Sequence, residues 1–170
     1  LGLDLRQFYG QTENCALCAA QDPGEVKLHT VGRPFPGIEI RIADDGEILV
    51  RGDNVIDGYY NNPEATAETM RDGWLHTGDA GYVEDDGHLV VLGRVSEVVY
   101  TAGGERFIPT YIENRIKFSH HIKDVCVLGK DREFLTAIVC IDFDAVGHWA
   151  EQHGVAYHSY ADLSQQHPVH

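Results

Sequence analysis

Short stretches of alternating apolar and polar residues, punctuated by Asp-Gly turns, fill the first ninety or so positions. Ile38, Ile40 and Ile42 alternate with Glu39 and Arg41, Asp44-Asp45-Gly46 turns the chain, and Glu47-Ile48-Leu49-Val50 brings it back as a second strand. The device recurs where Asp85-Asp86-Gly87 separates Tyr82-Val83-Glu84 from the run His88 to Leu92, because a glycine after Asp supplies the positive φ of a tight hairpin. Pro34 and Pro36 confine their segment to a sheet edge or a loop. At the start, Leu3 to Tyr9 reads as a strand that runs into the polar loop Gly10-Gln11-Thr12-Glu13. One helix interrupts this β pattern: Asn62 suits its N-cap, Pro63 its first position, Glu64 the positive end of its dipole and Gly73 its C-terminal stop.

The pattern changes near Arg94 to Glu97, where a domain boundary is expected. Glu97 to Thr101 and Glu105 to Ile108 flank Ala102-Gly103-Gly104 as a hairpin, and Thr110 with Glu113 has the spacing of a capping box at a helix start. Ile112, Ile116 and Phe118 would form that helix's core stripe. Two apolar runs follow, Val125 to Leu128 and Phe134 to Ile141, and Asp144 to Gly154 predicts a last helix with Val146, Trp149 and Ala150 inward. Ser159 to His170 shows no period and is expected to be poorly ordered. The fold class is therefore α+β: a short-stranded, distorted barrel-like β unit over residues 1–94, then a small α+β domain over 95–170.

With 170 residues, 43% hydrophobic and 24% charged, the chain can bury a core and hold one domain or two small ones. Its 13 Lys and Arg stand against 27 Asp and Glu, a formal charge of −14 that would repel a polyphosphate backbone, so nucleic acid is excluded as an expected partner. No apolar run approaches the roughly 20 residues of a membrane span, and Leu1 to Arg6 lacks the zones of a signal peptide. A cytoplasmic location is expected, with peripheral membrane contact left open. Cys15 and Cys18 form a C-x-x-C with no second pair, and Cys126 and Cys140 stand singly in strand-like runs. Zinc and redox readings therefore rank below free thiols, buried or half-buried. The ten histidines show no metal-binding spacing, and no G-x-S-x-G elbow supports a hydrolase.

The chemistry-bearing residues surround the second hairpin. Thr77-Gly78-Asp79 precedes it and Gly93-Arg94 follows it. A carboxylate can accept from both hydroxyls of a ribose, and a guanidinium can fork onto hydroxyl or phosphate oxygens. Thr77-Gly78-Asp79, the hairpin, and then Gly93-Arg94 with Glu97, Gly103, Pro109, Ile112 and Glu113 at their spacing resemble the closing part of the adenylate-forming (AMP-binding) superfamily, and within it the long-chain fatty acid CoA ligases. Tyr9-Gly10-Gln11-Thr12-Glu13 is similar to the family's YGxTE signature, and Gly32-Arg33-Pro34 and Gly58-Tyr59-Tyr60 fall between in the family's order. The resemblance runs from about Leu5 to about Asp142 and fades beyond Phe143.

What the resemblance implies is specific. The parent activity would join a fatty acid to ATP, giving acyl-AMP and pyrophosphate, and then to CoA, giving acyl-CoA and AMP. Tyr9, Gly10, Gln11, Thr12, Asp79 and Arg94 would bind the nucleotide, with Tyr9 against the adenine, Thr12 on a phosphate oxygen, and Asp79 and Arg94 on the ribose. Thr12 and Glu13 would be catalytic, Glu13 holding Mg²⁺, which favours hard oxygen ligands shared with substrate phosphates. Ser96 would be the hinge, and Gly103, Gly104 and Glu105 would form a loop facing CoA. Ser96 departs from the family's usual charged hinge residue, and Tyr111 replaces a frequent glutamate. The family's upstream phosphate loop and its late catalytic lysine have no counterpart in these residues, so the chain is expected to be a piece of such an enzyme, inactive alone. The alternative is a non-catalytic β-rich interaction module, zinc-stabilised through Cys15 and Cys18.

Overall fold

A computed structural model describes residues 4–169, which divide into two compact units, through Ser96 and from Glu97 onward. The fold is mixed α+β. In the first unit β1 (Phe8–Tyr9), β2 (Ala19–Ala20) and β3 (Arg33–Pro34) form a small antiparallel sheet with Pro34 on its edge. Of the strand expected from Leu3, only these last two residues are extended, and Leu3 itself lies outside the described residues. Next come β4 (Glu39–Ile42) and β5 (Glu47–Arg51), helix α1 (Pro63–Thr69), and the strands β6 (Met70–Arg71), β7 (Trp74–Val83) and β8 (Leu89–Arg94). The five strands make one curled, half-barrel sheet whose axis is β7: β5 lies along one edge, and β6 and β8 share the other.

Turn chemistry sets this register. Gly46 and Gly87 take φ of 89° and 86° where the two Asp-Gly hairpins turn. Gly73, expected to stop the helix, does not. The helix ends at Thr69, and Asp72 and Gly73, both at positive φ, form a two-residue turn that pairs Arg71 with Trp74. A third Asp-Gly hairpin, with the handedness that matches strand twist, takes precedence over a glycine cap. Asn62 caps α1 as expected, its side chain accepting from the Ala65 N–H at 3.1 Å.

Cys18, Ala19, Ile48, Val50, Leu75 and Leu89 form the first unit's core, with Tyr9, Ile38, Ile40, Ile42 and Val91 packed on it. Fully burying each of the larger aliphatic side chains contributes about 1.5–3 kcal/mol. Around the rim, Lys27 pairs with Glu84 and Asp86, His29 lies 2.8 Å from Glu84, and Arg33 Nε donates to the Asp86 carbonyl at 3.0 Å, tying β3 and the loop before it to the β7–β8 hairpin.

The second unit contains β9 (Val99–Tyr100) paired with β10 (Arg106–Phe107), helix α2 (Pro109–Ile116), β11 (Ile122–Leu128) paired with β12 (Thr136–Ile141), and helices α3 (Phe143–Gln152) and α4 (Tyr160–Leu163). Three expectations are corrected here. Thr110 and Glu113 make no capping box: Pro109 fixes the helix start two residues earlier, with Ile108 at the N-cap, and Glu113 instead accepts from the Val127 N–H at 2.8 Å. Phe118 is 87% exposed, beyond the end of α2, rather than in its core stripe. Among the described residues the tail after Ser159 carries helix α4, because Leu163 buries itself against Val146 and Ala150 while Ser159 caps the helix. Trp149 packs beside them as expected.

Gly32 gives the sharpest test of this packing. It sits at φ 90°, and a Cβ there would lie 1.9 Å from the Ala20 carbonyl carbon and oxygen. Gly32→Ala should lose at least about 2 kcal/mol of unfolding free energy, since left-handed strain and a backbone clash add. Urea denaturation measures it, and a loss under about 0.5 kcal/mol would show that β2 and β3 approach less closely.

Candidate nucleotide site

The site is built on a break in β7. Glu47 pairs with Ala80 and Leu49 with His76, so three residues of β7, Thr77, Gly78 and Asp79, stand opposite Ile48 alone. Such a bulge removes ladder bonds and turns side chains that a regular strand would alternate. Side chains replace the lost bonds. The Thr77 hydroxyl donates to the Ile48 carbonyl at 2.7 Å and accepts from the Asp79 N–H at 3.1 Å, and the Gly78 N–H donates to Glu47 Oε1 at 2.8 Å. Gly78 takes φ 68°, and a Cβ on it would fall 2.7 Å from Arg94 Nη2, so the guanidinium lies over a position that only glycine leaves clear.

Asp79 emerges from the bulge with a buried carboxylate that three groups approach. The Tyr9 hydroxyl donates to Oδ2 at 2.6 Å, Gln11 Nε2 to the same oxygen at 2.7 Å, and Arg94 Nη1 to Oδ1 at 2.7 Å. Gln11 and Arg94 also donate to the Thr77 carbonyl, at 2.9 and 3.3 Å, on the stretch of strand edge between β6 and β8. The structure thus brings together four of the sequence-predicted residues, Tyr9, Gln11, Asp79 and Arg94. Tyr9 packs against the core, and burial first, then the bond to Asp79, push its phenol well above the ordinary value of 10.0.

The loop from Gly10 to Asn14 folds back tightly. Gly10 needs its missing side chain, since a Cβ would lie 2.2 Å from the Ala16 carbonyl carbon. The buried Asn14 accepts from the Gln11 N–H at 2.7 Å and closes a short turn over Thr12–Asn14. Thr12 is exposed, and Glu13 is half-buried with its Oε1 accepting from the Tyr59 hydroxyl at 2.6 Å. That bond raises the Tyr59 phenol's pKa. Thr12, Glu13 and Tyr59 line a cleft of about 510 Å³ with Glu47, Glu68, Arg71, His76, Gly78 and Arg94.

Sequence reasoning missed Tyr59, Glu47 and His76. Gly58-Tyr59-Tyr60 marked the first without giving it a role. Glu47 and His76, whose carboxylate and Nδ1 lie 2.7 Å apart, carry no local signal. The remaining candidates lie elsewhere. Ser96 is exposed in a short turn over Val95–Glu97 at the end of the first unit. Gly103, Gly104 and Glu105 are exposed in the β9–β10 turn, where the Thr101 hydroxyl accepts from the Glu105 N–H at 3.1 Å and Gly104 takes φ 83°.

Cys18 is fully buried, its thiol pushed up to about 12 by that burial. Cys15, Cys126 and Cys140, expected at least half-buried, are exposed: Cys126 alternates with the buried Val125 and Val127 on β11, and Cys140 belongs to β12, which is exposed from Thr136 to Cys140. Among the described residues no group of three or more His, Cys, Asp or Glu could hold a metal by itself. Glu13 still fits Mg²⁺, which takes one or two carboxylates and completes its shell with water and phosphate oxygens.

Residues 1–60 match the AMP-binding enzyme family, and residues 96–157 match the AMP-binding enzyme C-terminal domain. The chain belongs to the adenylate-forming, AMP-binding enzymes. It is similar to a long-chain-fatty-acid–CoA ligase of Mycobacterium bovis, 40% identical over 89% of this chain and 25% of that protein, and to an indoleacetate–CoA ligase of Aromatoleum aromaticum, 39% identical over 76% and 28%. Among solved structures it is similar to the O-succinylbenzoate coenzyme A synthetase of Bacillus subtilis. The complex of that enzyme with AMP superposes with a TM-score of 0.66 at 27% identity over 94% of this chain and 33% of the other, and its complex with ATP and magnesium with 0.63 at 32% over 80% and 31%. The chain spans about a quarter of the length of the acyl-CoA ligases it matches.

The knot around Asp79 can be tested directly. Tyr9→Phe removes one charge-assisted bond and should cost about 1.5–3 kcal/mol of stability by urea unfolding. In an alkaline absorbance titration of the folded chain, the same variant should show an unchanged phenolate signal up to about pH 11, because Tyr9 stays protonated there. A missing phenolate group near pH 10 in the variant would mean that Tyr9 is solvated.

Proposed function

We propose that the chain supplies the ribose and metal-phosphate contacts of the nucleotide site in an ATP-dependent acyl-CoA ligase acting on long-chain fatty acids, and the loop that meets CoA. The observation that carries this reading is the convergence of Tyr9, Gln11 and Arg94 on the Asp79 carboxylate, beside the cleft that Glu13 lines. Asp79 Oδ1, which accepts from Arg94 alone, has a lone pair left for a ribose hydroxyl, whereas Oδ2 is taken by Tyr9 and Gln11; Arg94, half exposed, can turn its free nitrogens to a ribose or phosphate oxygen. Tyr9 would border the adenine and Thr12 would donate to a phosphate oxygen. Glu13 would hold Mg²⁺, which when bound spreads the phosphate charge and eases departure of pyrophosphate.

In the first step the fatty carboxylate attacks the α-phosphorus, forming acyl-AMP and releasing pyrophosphate. In the second the CoA thiol attacks the acyl carbon and AMP leaves. Asp79 and Arg94 hold the ribose through both, so the reacting phosphorus and then the acyl carbon are kept in place. We assign the hinge between the steps to Ser96 and the CoA-facing turn to Gly103, Gly104 and Glu105. The long-chain acid is favoured by the Mycobacterium bovis relative, and indoleacetate is the acid named by another. Alone, the chain is proposed to bind nucleotide without turning it over.

Calorimetric titration of the 170-residue chain with AMP, and with ATP at graded Mg²⁺, tests the reading. Asp79→Ala and Arg94→Ala should each weaken AMP binding roughly ten- to a hundredfold, the loss of a charge-assisted bond. Glu13→Gln should leave AMP binding intact and raise the Mg²⁺ needed for ATP. Equal affinities in wild type and both ribose-site variants would remove Asp79 and Arg94 from the site, and an unchanged metal titration would make Glu13 a turn residue.

A further inference from the structure

We propose that Glu47 is a positioning residue for this site: its carboxylate holds the Thr77-Gly78-Asp79 bulge in the shape that presents Asp79 to Tyr9, Gln11 and Arg94. Glu47 is only 8% exposed, on a strand whose next three residues, Ile48, Leu49 and Val50, are all buried and apolar. A carboxylate there is costly unless it is bonded, and a hydrocarbon would serve the ladder equally well. Its bonds explain it. Oε1 accepts from the Gly78 N–H at 2.8 Å, the amide that the bulge takes out of the ladder, and Oε2 lies 2.7 Å from His76 Nδ1, a nitrogen that Arg71 Nη2 also approaches to 2.7 Å while lying 3.9 Å from Oε2.

Those contacts clamp both flanks of Thr77. Position 76 is held by its ring and position 78 by its amide, while the Thr77 hydroxyl is fixed to the Ile48 carbonyl. With the flanks held, the Thr77 carbonyl stays in reach of Gln11 and Arg94, and Asp79 stays beside them. Without Glu47, the Gly78 N–H loses the acceptor that fixes its direction, and the strand is free to recover a bond from water in the cleft or by sliding toward β5. Either way Asp79 moves. The acceptor's position, not its charge, is what the bulge requires.

The consequence for nucleotide rests on the reading of Asp79 as a ribose ligand, whereas the clamp itself does not. The experiment is nitrogen-15 NMR of the whole 170-residue chain, reading hydrogen exchange of the Gly78 amide and AMP titrations in wild type and in Glu47→Gln, Glu47→Asp and Glu47→Leu. Gln keeps an oxygen within reach of Gly78, whereas Asp keeps the charge and withdraws it by one methylene. Expected are near wild-type protection and AMP affinity within about threefold for Gln, and lost protection with roughly tenfold weaker AMP binding for Asp and Leu. Ile42→Ala, a core cut on the paired strand, should lower stability and leave both readouts alone. Should Leu fail to fold, the Gln and Asp pair decides. A protected Gly78 amide in Glu47→Asp, or weak AMP binding in Glu47→Gln with wild-type affinity in Glu47→Asp, would overturn the proposal. If wild type shows no AMP-induced shifts while Glu47→Asp still loses Gly78 protection, the nucleotide reading fails and the clamp stands.

Discussion

Three residues of β7 face one residue of β5, and most of what matters in the first unit follows from that mismatch. A bulge this size strips backbone donors and acceptors of their ladder partners inside a sheet that water reaches poorly, so each must be repaid by a group from elsewhere. Thr77 and Glu47 repay one edge, and Gln11 and Arg94 the other. The repair and the site are made of the same residues. Two of the groups that restore the backbone, Gln11 and Arg94, also fix the Asp79 carboxylate, which joins the loop between β1 and β2 to two strands some seventy and eighty residues later. The glycine at the bulge is demanded twice, by its φ and by the guanidinium above it.

What the sequence made legible was whatever depends on neighbours along the chain. Asp44-Asp45-Gly46 and Asp85-Asp86-Gly87 announce their hairpins because turn geometry is decided by two or three residues, and Asn62-Pro63 announces its helix for the same reason. Gly73 was misread where two local rules competed, and the Asp72-Gly73 hairpin prevailed because β7 was there to pair with. Glu113 was misread because its partner, the Val127 amide, lies on another element. Glu47 and His76 were invisible for a deeper version of that reason: a polar residue in an alternating strand reads as solvent-facing, and only the opposing bulge turns it inward. Asp79 and Arg94 stood out as a carboxylate and a guanidinium flanking one hairpin, and Tyr9 and Gln11 were found through family resemblance; nothing in their spacing shows that the four meet. Cys126 and Cys140 sit in runs too uniformly apolar to show which face is covered.

The charge distribution constrains how such a site can work. The cleft carries Glu13, Glu47 and Glu68 against Arg71, Arg94 and a histidine, in a chain of formal charge −14. A triphosphate brought there meets repulsion over any distance within a Debye length, about 8 Å at physiological salt. On the proposed reading, what this chain contributes to binding is not a basic field but contacts at hydrogen-bond range: a ribose hydroxyl donating to Asp79, and a divalent cation that would convert Glu13 from a repulsive neighbour into a ligand. Glu47 is already committed to Gly78 and His76, so its charge is partly spent on the fold before any ligand arrives. On this view the acidic surroundings are no obstacle to nucleotide binding. On the proposed reading they would make it conditional on the metal, and would let AMP, with fewer charges and the same ribose, depend on Asp79 far more than on Glu13.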